Sequence, residues 1–170
     1  VDDLPPLGPL VRMDERLREV ARDEPAVEAA LDVAERRLAA GETAELHAYA
    51  GQAARVLHRH EAAIAHLTRA LELEPSPRAR IRLGEAYRCA DRLDEASAEL
   101  ETVLAESRQT PLEDFALQHL GKALTDAGRG QAAVDALERA LRLRRAKGDP
   151  ALVESTERAL ERAAALVRQA

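Results

Sequence analysis

The sequence has no tryptophan, one phenylalanine (Phe115), two tyrosines (Tyr49 and Tyr87) and one cysteine (Cys89). A single thiol excludes an intramolecular disulfide framework and fits a reducing compartment. No apolar run approaches the ~20 residues that a membrane span requires, and no charged-then-apolar segment opens the chain, so the expected location is cytoplasmic, away from membranes. Positive charge is in deficit: the net charge is −6, whereas phosphate binding needs a clustered basic surface, and a nucleic-acid partner is not expected. Runs of β-branched residues that would make strands are few. Lysine is almost missing as well, with 2 lysines against 23 arginines, a bias we attribute to base composition.

What remains is alanine, leucine, arginine and glutamate, with 46% hydrophobic and 33% charged residues in 170. That balance is typical of amphipathic helices and unlike a disordered tail. A chain of this length can bury one good core or build one short repeat array. The reading is an all-α protein.

No catalytic constellation stands out. His58, His60 and His66 form HRHEAAIAH. His58 and His60 fall in a turn and point apart, no cysteine accompanies them, and the helical two-histidine spacing around a glutamate is missing. Cys89 reads as a partly buried thiol with only Arg88 and Arg92 near it. Phosphate-cradling loops, a nucleophile elbow and paired carboxylates are all lacking. The expectation is no enzyme, no cofactor and no metal.

The organising feature is a repeat. From Gly51 the chain reads GQAARVLHRHEAAIAHLTRAL; from Gly84, GEAYRCADRLDEASAELETVL; from Gly121, GKALTDAGRGQAAVDALERAL. Without a gap, alanine follows two residues after each glycine (Ala53, Ala86, Ala123) and arginine eight after it (Arg59, Arg92, Arg129). Alanine recurs at Ala63, Ala96 and Ala133; leucine recurs at Leu67, Leu100 and Leu137, then at Leu71, Leu104 and Leu141. Each window holds the end of one helix, a break at His58–His60, Asp91–Leu93 or Gly128–Gly130, and a second helix with one apolar stripe. Glycine in a helix costs about 1 kcal/mol relative to alanine. Its presence in each first helix predicts close approach of the antiparallel partner, which offsets that cost.

These residues resemble the tetratricopeptide repeat over about residues 43–147. Leu83-Gly84, Tyr87, Ala96 and Leu100 carry the likeness, as do Leu120-Gly121, Leu124, Ala133, Leu137 and Ala140, and the exit Leu73-Glu74-Pro75. The resemblance implies a right-handed α-solenoid of antiparallel helix hairpins. Repeats are expected at 43–76, 77–110 and 111–147, within a single domain. Residues 1–10 are rich in proline and glycine and are expected to form an extended, mobile arm. Residues 11–42 are expected to form a divergent helical hairpin, with Pro25 in the first turn of its second helix. Residues 148–170, opened by Gly148-Asp149-Pro150, are expected to form a capping helix over the last repeat.

The resemblance further implies a non-enzymatic scaffold that binds a protein or peptide segment in a concave groove lined by the first helices. The alternative is self-association, including a homodimer, through the terminal helix or the N-terminal arm. Groove candidates are Gln52, Arg55, Arg78, Arg82, Glu85, Arg88, Gln118, His119 and Lys122. Some members of the family grip a peptide's terminal carboxylate with Lys and Asn at set positions; of the residues at those positions here, Arg82 alone could do so. Arg78 and Arg82 are four apart and share a helix face, so they repel unless an anion sits between them. An acidic peptide would suit them. The competing expectation is that Glu85 simply neutralises Arg82 across one helical turn.

Overall fold

A computed structural model describes residues 4–169. Eight α-helices lie among them: α1 (Glu24–Ala40), α2 (Ala44–Val56), α3 (His60–Leu73), α4 (Pro77–Cys89), α5 (Leu93–Glu106), α6 (Glu113–Asp126), α7 (Gly130–Lys147) and α8 (Pro150–Gln169). Their starts are set by local chemistry. The side chains of Asp23, Thr43 and Ser76 accept hydrogen bonds from the N–H groups of Ala26, Leu46 and Ala79, capping α1, α2 and α4. Asp149 accepts from the N–H groups of Ala151 and Leu152 at the head of α8. Gly148, left-handed at φ 74°, ends α7 before it.

The three hairpin turns obey one rule. His58, Asp91 and Gly128 sit at the same repeat position, seven residues past Gly51, Gly84 and Gly121, and all three are left-handed, with φ of 59°, 56° and 74°. The next N–H in two of them closes back on the first helix, Arg59 to the Ala54 carbonyl at 2.9 Å and Arg129 to the Leu124 carbonyl at 2.8 Å. Carbonyls that the helix end leaves open are satisfied in this way.

Where a single domain was expected, the chain divides into two compact units, one running to Asp91 and the other from Arg92. In the first, α1 packs on α2, α2 on α3 and α4, and α3 on α4. Its core includes Val27, Leu31, Ala50, Ala53, Ile64, Leu67 and Leu83. In the second, α6 packs against α5, α7 and α8, and α7 against α8. Its buried residues include Leu100, Val103, Leu117, Leu124, Leu137, Ala159 and Ala163.

The N-terminal expectation fails, and the reason is tertiary. Residues 1–3 of the expected arm lie outside the described residues; from Leu4 onward the segment is packed. Gly8–Leu10 is one turn of 3-10 helix. Leu4 is buried, and Leu7, Leu10, Val11 and Ala21 pack against the core that α1 and α2 build. Pro5, Pro6 and Pro9 forbid a regular α-helix here, yet they leave the leucines free to cover that core. In place of a first helix stands an antiparallel hairpin, β1 (Val11–Met13) and β2 (Glu19–Ala21), with Val11 opposite Ala21 and Met13 opposite Glu19. Its tip is closed by the Asp14 carboxylate, which accepts from the Arg18 N–H at 2.8 Å, and by Leu17 at φ 55°. An aspartate bonding its own turn competes with helix formation.

The helix contacts explain the repeat glycines. A Cβ built on Gly51 would lie 2.6 Å from Leu67 Cγ and 3.2 Å from the Ala63 carbonyl oxygen; one on Gly121 would collide with Leu137 Cγ. Both leucines are fully buried and have nowhere to move. Gly121→Ala is therefore expected to lower stability by about 1–3 kcal/mol through overpacking, more than the ~1 kcal/mol gained in helix propensity. A thermal melt that stays level or rises would refute this packing.

Candidate functional site

In the unit that ends at Asp91, the first helices are α2 and α4, and four of the expected groove arginines lie on them. Arg78 stands exposed in the first turn of α4. Arg82, one turn further, is half-buried and has no hydrogen-bond or ion-pair partner among the described residues. Burial, then the charges of Arg78 and Arg55, depress its pKa. Glu85 does not relieve it: that carboxylate lies 3.0 and 3.2 Å from Arg88 Nη1 instead. Gln52 on α2 is half-buried and donates to its own helix at the Ala48 carbonyl.

Three of the nominated lining residues prove to be interior. Arg88 is fully buried, and Arg55 and Glu85 are each 6% exposed. The two arginines are engaged by the β1–β2 hairpin, which was not expected from the sequence. Arg55 donates to Glu19 at 2.5 Å and touches the Cys89 sulfur at 3.9 Å. Arg88 donates through Nη2 to the Arg16 carbonyl at 2.5 Å. Arg18 donates to the Cys89 carbonyl and, with Arg16, to the Asp91 carboxylate. Burial works against the Arg55 charge, yet Cys89, Glu19 and Glu85 hold its pKa above the ordinary value. Burial, then the Glu85 charge, raises the Cys89 thiol above its usual range despite the nearby arginines. An unreactive thiol follows.

The remaining nominated residues lie on α6 in the second unit. Gln118 and Lys122 are buried, contrary to the lining role, and His119 is half-buried. Gln118 Nε2 faces the Ser155 carbonyl and hydroxyl at 3.4 and 3.5 Å. Nearby, Asp114 and Arg144 form an interior pair at 3.0 Å, with Arg144 also donating to Thr156 Oγ1 and the Leu152 carbonyl. These contacts tie α6 to α7 and α8.

Residues 57–113 match the sequence model of the family described as tetratricopeptide repeat. Among solved structures, the chain is similar to the Sgt2 TPR domain of Aspergillus fumigatus, at 21% identity and a TM-score of 0.63, covering 74% of this chain and 80% of that one. It is also similar to a putative kinesin light chain of Podosopora anserina with nearly identical TPR-like repeats, at 19% identity and 0.67, covering 85% and 81%. Residues 57–113 carry the tetratricopeptide repeat. The chain's fold is the all-α repeat solenoid, a generic protein-interaction scaffold. No curated protein matches the sequence. Among the described residues, no helix is long and apolar enough to cross a membrane.

The histidines of this repeat chain do not converge. His58 and His60 meet edge to face across the turn, with centroids 5.8 Å apart. His66 instead reaches α2, its Nδ1 lying 3.0 Å from Nδ1 of His47, whose Nε2 faces Glu42 at 2.8 Å. Among the described residues, no group of three or more His, Cys, Asp or Glu could hold a metal. With Nε2–H of His47 directed at the carboxylate, its Nδ1 accepts and His66 Nδ1–H donates; protonating both rings would oppose two N–H groups.

Burial, then the His47 charge, depresses the His66 pKa below 6.5, and burial does the same for His60. A depressed histidine pKa means that the unfolded chain takes up protons first. Stability is complete above pH 6.5 and is lost as pH falls through the folded values. Melting temperatures taken from neutral to mildly acid pH are expected to fall, and His66→Gln is expected to flatten part of that slope. An unchanged slope in the variant would contradict the assignment.

Proposed function

We propose that this chain is a non-enzymatic protein-interaction module that binds a carboxylate-bearing peptide segment on the first-helix face of the unit ending at Asp91. The observation that carries this reading is Arg82. A half-buried guanidinium with no partner among the described residues, and with Arg78 and Arg55 opposing its charge, is stabilised by an incoming anion. Guanidinium forks match carboxylates in geometry as well as in sign. The family's scaffold role gives the setting, and the arginines give the sign of the ligand.

Arg88 cannot serve as a test position, because it is core. The informative change is Arg78→Glu with Arg82→Glu, since one of these side chains is exposed and the other half-buried. A labelled hexaglutamate peptide, followed by fluorescence anisotropy, is expected to bind the unaltered chain and to lose affinity about ten-fold or more in the variant, equivalent to ~1.4 kcal/mol. Added salt should weaken the unaltered complex. Equal binding by a folded variant would refute the reading.

A further inference from the structure

The arginines at the buried end of this face occupy one repeated position. Arg55 and Arg88 each lie four residues past a repeat glycine, Gly51 and Gly84. Both aim at the same short piece of chain. Arg55 holds the Glu19 carboxylate, and Arg88 holds the Arg16 carbonyl. The hairpin tip thus lies across two successive first helices, α2 and α4, gripped once by each.

Its attachment differs from that of the segment before it. Leu4, Leu7, Leu10 and Val11 fasten the N-terminal segment to the core by apolar contact. The tip, residues 14–19, is held to the helices by polar contacts: Glu19 to Arg55, the Arg16 carbonyl to Arg88, and Arg16 and Arg18 to Asp91. Asp91 is 58% exposed and Glu19 46%. Their partners Arg18 and Arg55 are 12% and 7% exposed, so each pair has one open end and one buried end. Because Arg55 and Arg88 are buried, the tip leaves only in exchange for a ligand that offers them the same acceptors, while the apolar base stays.

We infer that the tip is an internal stand-in for the peptide this face takes: a segment presenting a backbone carbonyl and, three residues further on, a glutamate carboxylate. The inference rests on the first-helix face being the interaction surface. It adds the chemistry of the ligand and a competitor built into the chain. A bound peptide would replace the tip on Arg88 and Arg55, and an acidic residue beyond that pair would meet Arg82.

Cys89 supplies a readout that does not depend on Arg82. Its carbonyl accepts from Arg18 of the tip and its sulfur touches Arg55, which Glu19 of the tip engages, so displacement of the tip removes the first contact and loosens the second. Replacing Glu19→Gln and Arg18→Ala in the full chain is expected to raise the rate of thiol labelling by maleimide about ten-fold, as for the loss of a charge-assisted hydrogen bond. A synthetic peptide copying residues 12–21 should restore protection, and the same peptide with Glu19→Gln should not. If the double variant folds poorly, Glu19→Gln alone carries the same comparison.

An unchanged labelling rate would show that the tip is a fixed cover and overturn the inference. So would equal protection by both peptides, or by neither. Protection that persists when Arg78→Glu and Arg82→Glu are added would keep the stand-in and remove Arg78 and Arg82 from the site. Loss of hexaglutamate binding in that variant, with labelling unmoved by Glu19→Gln, would do the reverse.

Discussion

Each repeat hairpin that lies wholly within one unit depends on a leucine filling the place where a glycine has no side chain. Leu67 lies over Gly51 and Leu137 over Gly121, in both cases with the leucine removed entirely from water. The contact is steric before it is energetic. It brings the two helix backbones closer than any side chain would permit, and the neighbouring small residues, Ala53 and Ala63 in one hairpin and Ala123 and Ala133 in the other, are fully buried as a result. From that spacing follows the short left-handed turn at His58 and at Gly128, since nothing longer is needed to join helices this close.

Around these tight pairs, the wider gaps are filled by guanidinium groups. Arg88 reaches Glu85 and the Arg16 carbonyl; Arg144 reaches Asp114, Thr156 and the Leu152 carbonyl. Each is a charge taken out of water and given partners in several directions, which is the condition under which burial of an ion is tolerable. Arg82 departs from this pattern. It is the half-buried arginine of α4 whose surroundings offer other cations and no carboxylate.

How much of this was legible follows from the range of the interactions. The hairpins could be read because glycine, alanine and leucine recur at fixed spacing, and the turns because the breaks fall at one repeat position. The β1–β2 hairpin could not. Its leucine, arginine and glutamate residues favour helix, and the strands exist through cover over α1 and α2 that local propensity does not encode. Arg88 misled for the same reason. A charged residue one turn past a repeat glycine reads as solvated when its partner carbonyl belongs to Arg16, 72 positions away. The one local sign of a turn is the aspartate at the tip, Asp14, which stands among residues of helical character. Arg78 and Arg82 do lie on α4, one exposed and the other half-buried, whereas Glu85 pairs with Arg88 and not with Arg82.

The guanidinium forks also decide which chemical marks the surface can receive. An ammonium group could not hold two or three acceptors in the fixed directions that Arg88 and Arg144 require. Charge carried in this form is closed to acylation, the modification that most often rewrites a basic surface. Of the two lysines in the sequence, Lys122 is buried, and Lys147 is paired with Asp114 and donates to the Pro111 carbonyl. Of the side-chain amines, amine-directed enzymes and cross-linkers therefore find Lys147 alone at the surface, and the arginine positions keep their charge whatever acetyl donors surround them.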